Sequence, residues 1–272
     1  MDFNQQIIDQ FRANNGQVGP PFDGARLLLL TTTGARTGVR HTTPLGYLHD
    51  GDGRLLVIAS AGGAPRHPAW YHNIRANPRV TVEDGTFTYE ADAVALEGAE
   101  RDRAFARAAE ADPGWADYQA EAGRVIPVIA LNPLNATPNA TRPGDFLKLV
   151  HGAFRRELAL IRKEVAESGA GLGAQLRINC LTLCQGLEHH HTIEDAHMFG
   201  ALGEQHPDLA PALARLREEH QVVKRLLDDL QALLATEAPD PAQLLQEVER
   251  LTGELEAHLD YEEEQLVPIL NR

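Results

Sequence analysis

The run from Glu188 to Asp195 constrains this 272-residue chain more than any other stretch, because three consecutive histidines stand directly before two carboxylates. The leucines around the run follow a helical spacing, and residues four apart lie on the same face of a helix. His190 therefore shares a face with Glu194, and His191 shares a face with Asp195. One helix can offer about two ligands to a single metal site, so the remaining ligands must come from other helices.

Three further segments with helical spacing each carry a histidine. Four amphipathic helices that point ligands inward form a usual two-metal site of a helical bundle. Histidine nitrogen combined with carboxylate oxygen suits iron, and suits manganese or zinc less well. The sequence therefore predicts a two-metal site, and its expected ligands are His151, His190, Glu194, His220, His258 and Glu262.

The spacing leaves the register within the histidine run open. His191 with Asp195 is a geometric alternative to His190 with Glu194. Glu188 and His191 also form one Glu-x-x-His element of the ferritin type, but ferritin-like sites need that element on two helices. The last helix offers His258 and Glu262, four residues apart, instead. Spacing alone leaves the choice between these two pairs open, and the register of the family resemblance given next implies His190 with Glu194.

Four pieces of the second half carry a family resemblance, and they are His151–Leu158, Leu187–Asp195, Glu219 with His220, and His258–Glu262. With them, residues 145–272 resemble the hemerythrin-like (HHE cation-binding) four-helix bundle. The resemblance implies two iron ions, bridged by an oxygen species and by the carboxylates of Glu194 and Glu262. Hemerythrins that only carry oxygen have a further histidine one turn after the third-helix ligand, where this chain has Lys224. The resemblance thus also implies a more open and more reactive iron pair.

The first half of the chain predicts a small antiparallel β-barrel, because short apolar and β-branched stretches alternate with glycine-rich turns. Residues 1–131 show neither βαβ alternation nor a GxGxxG turn, which argues against a doubly wound dinucleotide-binding fold. Residues 132–144, with three prolines and no apolar period, predict a linker to the second domain over residues 145–272. The predicted strands are 26–33, 42–48, 54–59, 79–83, 86–94 and 125–131, and the predicted helices are 2–15, 68–76 and 98–112.

Two loops of the predicted barrel carry the residues that could bind a ligand. Arg36, Arg40 and His41 lie in or beside a glycine-rich turn, which is typical of an anion site but also of a solvated cationic turn. Trp70 and Tyr71 follow a second glycine-rich loop and predict either a stacking surface for a planar ring or barrel core.

Seven pieces of this half, in order, carry a second resemblance, and they are Leu30–Gly38, Thr43–Leu45, Ala59–Gly63, Pro68–Asn73, Ala76–Val82, Asp117–Gln119 and Ile126–Val128. Residues 27–131 resemble the deazaflavin-dependent nitroreductase/quinone reductase family, whose members are split β-barrels that bind coenzyme F420. FMN is an alternative occupant, since related barrels use it. The family often has arginine at His41 and tyrosine at Trp115, so tail binding and substrate preference are expected to differ here.

The resemblance implies a role for each matched residue. The phosphate and glutamyl tail of the coenzyme is expected against Arg36, Thr37, Arg40 and His41. Tyr118 is expected to close over the deazaflavin ring. Ser60 and Tyr118 are the expected hydrogen-bond donors to the acceptor, and thus the candidate catalytic residues. The expected ring contacts are Thr42, Thr43, Pro44, Ser60, Ala61, Gly62, Ala69, Trp70, Tyr71 and Asn73.

Charge and hydropathy exclude several other classes of protein. Residues 1–144 hold 13 Arg, no Lys and 16 acidic residues, a net charge of −3, which leaves −11 of the total of −14 for the second half. Such a balance argues against nucleic-acid binding. The apolar run Leu27–Leu30 is far shorter than the ~20 residues that cross a bilayer, and the start lacks a signal-peptide layout. We expect a cytoplasmic protein. Cys180 and Cys184, one helical turn apart, predict buried thiols rather than a redox pair.

Together these patterns predict an α+β protein of two domains, a split β-barrel followed by an up-down four-helix bundle. The expected function is oxidoreduction, with hydride passing from reduced F420 to a quinone or nitroaromatic acceptor. With the di-iron centre, the acceptor becomes oxygen, peroxide or a reactive nitrogen species. The alternative is an oxygen- or iron-sensing bundle that regulates an F420-binding domain. A homodimer is possible for such a barrel.

Overall fold

The computed structural model describes residues 3–168, 172–236 and 239–272. The chain divides into two compact units, Met1–Asn139 with Gly173–Gln175, and Ala140–Leu172 with Leu176–Arg272. Each unit has its own apolar core. The first unit is a closed barrel and the second is helical, which confirms the predicted fold class.

Six antiparallel strands of the described residues close into a barrel in the order β1-β2-β3-β6-β5-β4. The first strand, Leu27–Thr33, consists of four leucines and three threonines and is almost entirely buried. Its β-branched threonines favour an extended backbone. Pairing of this strand with both β2 and β4 closes the barrel. The strands are β1 Leu27–Thr33, β2 Arg40–His49, β3 Leu55–Ile58, β4 Arg79–Glu83, β5 Phe87–Ala95 and β6 Val128–Pro138.

Four helices accompany the barrel within its described residues. The first packs Ile7, Ile8 and Phe11 against leucines of β1; Asp2, included in the predicted helix, lies outside the described residues. The last, Gly114–Ala122, was not predicted, because it is short and starts and ends at glycines. Gly123 ends it in a left-handed conformation at φ +60°. The four helices are α1 Phe3–Ala13, α2 Ala69–Ala76, α3 Gly98–Ala111 and α4 Gly114–Ala122.

The segment predicted as a linker is largely strand, because β6 continues to Pro138. Residues 128–131 pair with β3 on one side and with β5 on the other. Beyond them, Pro133 and Pro138 pair with β5 alone. Proline lacks a backbone N–H and is therefore tolerated where one edge of a strand has no partner. The prolines predict a break in regular structure, whereas Pro133 and Pro138 lie in the part of β6 that has a partner strand on one side only.

The helical unit contains four long helical stretches in its described residues. The second is interrupted by a π-helical turn over Glu194–Met198, and a 3₁₀ turn over Pro207–Leu209 precedes the third. A large leucine-rich cluster fills one end of the bundle, and a smaller one around Phe199 fills the other. The helices are α5 Pro143–Glu167, α6 Ala174–Ile193, α7 Phe199–Gln205, α8 Ala210–Leu234 and α9 Pro241–Leu270.

The predicted metal ligands fall between these two apolar clusters on each helical stretch. On α8, for example, Leu216 belongs to the smaller cluster, Val223 to the larger, and His220 lies between them. On α9 the order along the chain is reversed, because Leu255 belongs to the larger cluster, His258 and Glu262 follow it, and Leu266 belongs to the smaller cluster. The polar level of the bundle is thus enclosed on both sides by core.

Candidate metal centre and coenzyme site

Two groups of potential metal ligands lie in the helical unit. His151, His190, Glu194 and Glu262 form one group, and a second consists of His191, His220 and His258. Within each group the ligand atoms lie within 4.8 Å of one another. The structure therefore brings all six predicted ligands together, and it adds His191, which the prediction left out.

The adjacent histidines of α6 contribute to different groups. Glu194, at the start of the π-helical turn, is four residues after His190 and three after His191, so both side chains lie on its side of the helix. A π-helical turn inside an α-helix is frequent at functional sites. His190 Nε2 lies 3.1 Å from Glu194 Oε1, and the His191 ring stacks on the His220 ring at a centroid distance of 4.1 Å. The three-residue spacing was the signal that could have identified His191.

Lys224, at the position of the further histidine of oxygen carriers, lies outside both groups. Its ammonium is exposed and lies 3.2 Å from Glu188 and 3.3 Å from Asp228. Because His191 joins His220 and His258, the site still contains five histidines. The more open iron pair expected from Lys224 stays a prediction.

Many polar atoms of the two groups, and one of the adjacent Asp195, lack a hydrogen-bond partner. Among the described residues, nine buried nitrogen and oxygen atoms of this kind belong to His191, Glu194, Asp195, His220, His258 and Glu262. Native proteins leave only a few buried polar groups unpaired, and each costs about 1–3 kcal/mol. Such a concentration of lone pairs between apolar clusters is the arrangement expected of a site built for cations.

Burial sets the protonation of these ligands. Desolvation and the neighbouring His151 lower the pKa of His190 to about 3, and desolvation lowers that of His191 further. Desolvation and the adjacent Glu262 raise the pKa of Glu194 to about 10, while the contact with His151 lowers that of Glu262. Neutral imidazole is the form that binds a metal, and the raised pKa of Glu194 means that a proton leaves when a cation arrives.

A carboxylate outside the groups orients His151. The Nδ1 atom of His151 lies 3.0 Å from Glu263 Oε1, and this oxygen also accepts a 2.6 Å hydrogen bond from Arg155. Although burial opposes ionisation of both groups, these contacts lower the pKa of Glu263 to about 2 and raise that of His151. With Nδ1 engaged, Nε2 is the ligand atom that faces the group, 3.2 Å from His190 Nε2 and 3.4 Å from Glu262 Oε2.

Comparable contacts orient two histidines of the other group. His258 Nδ1 lies 3.0 Å from Glu219 Oε2, and Glu219 in turn accepts a 2.7 Å hydrogen bond from Arg215. His220 Nδ1 lies 3.1 Å from Asp195 Oδ1, close enough for an ion pair but not aligned as a hydrogen bond. Carboxylate–histidine pairs of this kind fix ring orientation in metal sites.

The two cysteines are buried free thiols in the larger leucine-rich cluster. Burial raises the pKa of Cys184 to about 12, which keeps it protonated and unreactive.

In the barrel unit, the first predicted loop is a closed turn with exposed cations. Gly34 N–H donates to Val39 O at 2.8 Å, and Gly38 N–H donates to Gly34 O at 2.9 Å. Arg36, Thr37, Arg40 and His41 are all exposed around this turn. Arg40 also donates a 2.6 Å hydrogen bond to Thr81 Oγ1. The loop therefore presents positive charge to solvent on a fixed backbone.

The residues expected around the ring differ in exposure. Trp70 and Tyr71 are buried in the barrel core, which favours the core interpretation of this pair. Asn73 is also buried, with its amide donating to Thr32 Oγ1 at 3.0 Å and accepting from Ala35 N–H at 3.0 Å. The side chain of Asn73 thus holds the backbone of the first loop, at Ala35, against the end of β1, at Thr32. Thr42, Thr43 and Pro44 are half-buried on β2, and Ala69 is exposed at the start of α2.

Tyr118 lies close to the second loop, as expected. A Cβ placed on Gly63 would lie 3.4 Å from Tyr118 Cδ1 and 3.2 Å from Glu121 Cβ, and φ of +77° at this position favours glycine beneath α4. Ser60 is buried and its Oγ accepts from Gly62 N–H at 3.4 Å. The second loop therefore lies directly against α4, next to Tyr118.

Comparisons with known proteins agree with both halves of this description. Residues 4–133 match the family model "F420H(2)-dependent quinone reductase", and residues 142–270 match "Hemerythrin HHE cation binding domain". An F420H(2)-dependent quinone reductase of Mycobacterium tuberculosis (strain ATCC 25618 / H37Rv) is 39% identical over 125 residues, 44% of this chain and 83% of that protein.

Two solved structures are each 41% identical over 39% of this chain. One, described as an F420-H2 dependent reductase (FDR-A), is covered over 94% of its length with a TM-score of 0.36. The other, described as a domain-swapped dimer, is covered over 80% with a TM-score of 0.37.

The fold and the comparisons thus define a barrel domain of an oxidoreductase family followed by a helical domain of a metal-binding family. The chain belongs, through its N-terminal part, to the F420H(2)-dependent quinone reductase family, and it carries a hemerythrin HHE domain in its C-terminal part. In the part of the chain that the structure describes, no helix has the length and apolar character to cross a membrane.

Proposed function

We propose that the protein is an F420-dependent oxidoreductase with an oxygen-reactive di-iron domain. The barrel passes hydride from reduced F420 to a quinone or nitro-type acceptor. The bundle holds two iron ions, and this domain binds or reduces oxygen, peroxide or a reactive nitrogen species. The observation that carries the metal part is the set of nine unpaired buried polar atoms on five neighbouring histidines and carboxylates and on Asp195.

The exposed cations of the first loop support the coenzyme assignment. A phosphate and a glutamyl tail are anionic, and Arg36, Arg40 and His41 surround a turn whose backbone is held by Asn73. Guanidinium groups bind such oxyanions with paired hydrogen bonds. The affinity for F420 should therefore fall with rising salt concentration.

Positioning is the main task of the barrel residues. Bound reduced deazaflavin supplies a hydride at one ring carbon, so no protein nucleophile is needed. Ser60 lies in the second loop and Tyr118 lies next to that loop, so their hydroxyls are the candidates to donate hydrogen bonds to an acceptor oxygen as it gains the hydride. The half-exposed Tyr118 is placed to exclude water from a ring seated on the second loop.

The donor set of the bundle fits two iron ions. His191, His220 and His258 would hold one, and His151, His190, Glu194 and Glu262 would hold the other. Mixed imidazole and carboxylate ligation suits iron, and bound iron supplies electrons to oxygen species. The chain itself contributes oriented rings, a dry surrounding and a proton on Glu194 that binding displaces.

The deciding experiment is an anaerobic titration of the iron-loaded protein with reduced F420, followed by absorption and Mössbauer spectra. Oxidation of the coenzyme by added menadione supports the reductase activity, and iron that changes from ferric to ferrous supports transfer to the bundle. Deazaflavin carries two electrons, whereas each iron ion accepts one. Iron that stays ferric would show that the barrel and the bundle have separate activities. An F420 affinity that changes with iron loading, without oxygen consumption, would support regulation instead. Binding of FMN in place of F420 would refute the coenzyme assignment.

A further inference from the structure

The second loop of the barrel has a strained backbone at the expected coenzyme surface. Ala61, Gly62 and Gly63 follow one another with φ of +54°, +60° and +77°. This left-handed conformation is unfavourable for any residue with a Cβ, and therefore for Ala61. Ala61 and Gly62 are also exposed, so core packing does not hold them. Such strain persists only where surrounding contacts impose it, and it is common at ligand sites.

Arg124, which follows α4, makes those contacts. Its Nη2 donates to the carbonyls of Ala59 at 3.2 Å, Ser60 at 3.0 Å and Arg66 at 3.2 Å, and its Nε donates to Ala64 O at 3.2 Å. These four acceptors flank the strained residues on both sides. A planar guanidinium can bridge several carbonyls at once, whereas the single ammonium of lysine cannot reproduce that geometry.

The backbone around Arg124 is itself fixed. Gln119 Nε2 donates to Arg124 O at 2.6 Å, and Gln119 Oε1 accepts from Ile126 N–H at 3.0 Å. Arg101 supports the same segment with hydrogen bonds to Gln119 Oε1 at 2.9 Å and to Ile126 O. One connected network therefore joins α4, which carries Tyr118, to the strained loop.

We infer that Arg124 is a positioning residue that holds the Ala59–Arg66 loop in the shape required to seat the deazaflavin ring. The inference rests on the proposed coenzyme site. Arg124 acts through the backbone that it holds, and its effect belongs to coenzyme binding rather than to hydride transfer. Preorganising a loop in its bound shape raises affinity by removing the cost of ordering it.

The test compares Arg124→Lys with Arg54→Lys in the full chain. Arg54 is matched, since its guanidinium also bridges groups of the barrel unit, Asp50 and Glu100, but away from the loop. F420 binding is measured by its fluorescence, and KM and kcat with menadione as acceptor. We expect Arg124→Lys to raise Kd and KM for the coenzyme about 10-fold, with kcat within about twofold, and Arg54→Lys to change neither.

A second substitution separates strain from simple loss of stability. Adding Ala61→Gly to Arg124→Lys removes the penalty that Arg124 is inferred to impose, so it should restore part of the affinity. If Arg124→Lys does not fold, Gln119→Met loosens the network with the guanidinium intact, and a rise in Kd of about threefold is expected.

The possible failures are distinguishable. Wild-type protein that does not bind F420 overturns the proposed function. Wild-type protein that binds F420, together with a folded Arg124→Lys or Gln119→Met variant of unchanged Kd, overturns the inference alone. Equal loss in Arg124→Lys and Arg54→Lys would also overturn it, because the effect would then be general to the barrel.

Discussion

Replacing His191 by leucine should stabilise the metal-free bundle while removing one of its metal positions. His191 is buried, its Nε2 has no hydrogen-bond partner in the described residues, and burial keeps the ring neutral by lowering its pKa. Leucine has a similar volume and carries no polar atom, so it should fit between the same neighbours. Opposite effects on the metal-free and iron-loaded forms are the signature of a ligand.

The magnitude follows from two opposing terms. Removing the unpaired nitrogen should recover about 1–3 kcal/mol. Loss of the stacked contact between His191 and His220, at 4.1 Å between centroids, should cost about 0.5–1.5 kcal/mol. The net gain is about 1 kcal/mol, which raises the Tm of a unit of this size by roughly 3–5 °C.

Iron loading should reverse the order of stability. Loss of one of three nitrogens at the His191, His220 and His258 position should weaken iron binding there at least about 100-fold. At a fixed iron concentration, a 100-fold loss of affinity removes up to about 2.7 kcal/mol of ligand stabilisation. The iron-loaded variant should therefore melt below the iron-loaded wild type.

The assay is thermal unfolding followed by circular dichroism, with and without iron, together with colorimetric iron counting. His189→Leu is the matched control, because His189 is adjacent in the run but exposed. It should change neither the iron count nor the effect of iron on Tm. A His191→Leu protein that keeps wild-type iron content, or whose metal-free form melts several degrees lower, would show that His191 is a packing residue.

Three further outcomes follow from the geometry. Glu263→Gln should weaken iron binding about 10–100-fold, because His151 loses its charged partner. The matched variant Glu264→Gln, at an exposed neighbouring position, should leave iron binding unchanged. Equal rates of iron release to a chelator from the two variants would contradict the reasoning. The Tm of the metal-free protein should fall between pH 7 and 9, because folded Glu194, with a pKa of about 10, keeps a proton that the unfolded chain releases above about 4.5. The slope is at most about 1.4 kcal/mol per pH unit, and a flat Tm would refute the raised pKa. Asn73→Asp removes the amide donor to Thr32. It should lower the free energy of unfolding by about 1–3 kcal/mol and weaken F420 binding. An unchanged fluorescence titration with F420 would show that the first loop does not depend on Asn73.

The periodicity of apolar residues predicted the helices and strands that bury one face. It failed for elements whose structure depends on pairing or packing with another element. The strands of the barrel and the long helices follow from alternation and from four-residue spacing. Helix α4 lacks a clear apolar stripe, and the outer half of β6 contains two prolines, so neither is visible locally. Both exist because another element pairs with or covers them.

The metal ligands were predictable because spacing on a helix fixes direction. His190 and Glu194, and His258 and Glu262, needed only the four-residue rule. Spacing alone makes His191 with Asp195 a competitor of His190 with Glu194, because each pair is four residues apart on the same helix. The π-helical turn and the three-residue spacing to Glu194 allow adjacent histidines to serve two groups. That arrangement depends on the other three helices, which sequence spacing does not place.

The position of the site within the bundle is itself an argument for its function. Leucine at the same level would join the two apolar clusters into one core, and a buried unpaired polar atom costs about 1–3 kcal/mol. A sequence selected for stability alone would not keep His191, Glu194 and Glu262 there. A bound cation offsets that cost only in the folded state, so iron should raise the unfolding temperature through folded-state ligands. Chelation should therefore destabilise the bundle of the wild type, and it should have a much smaller effect on His191→Leu.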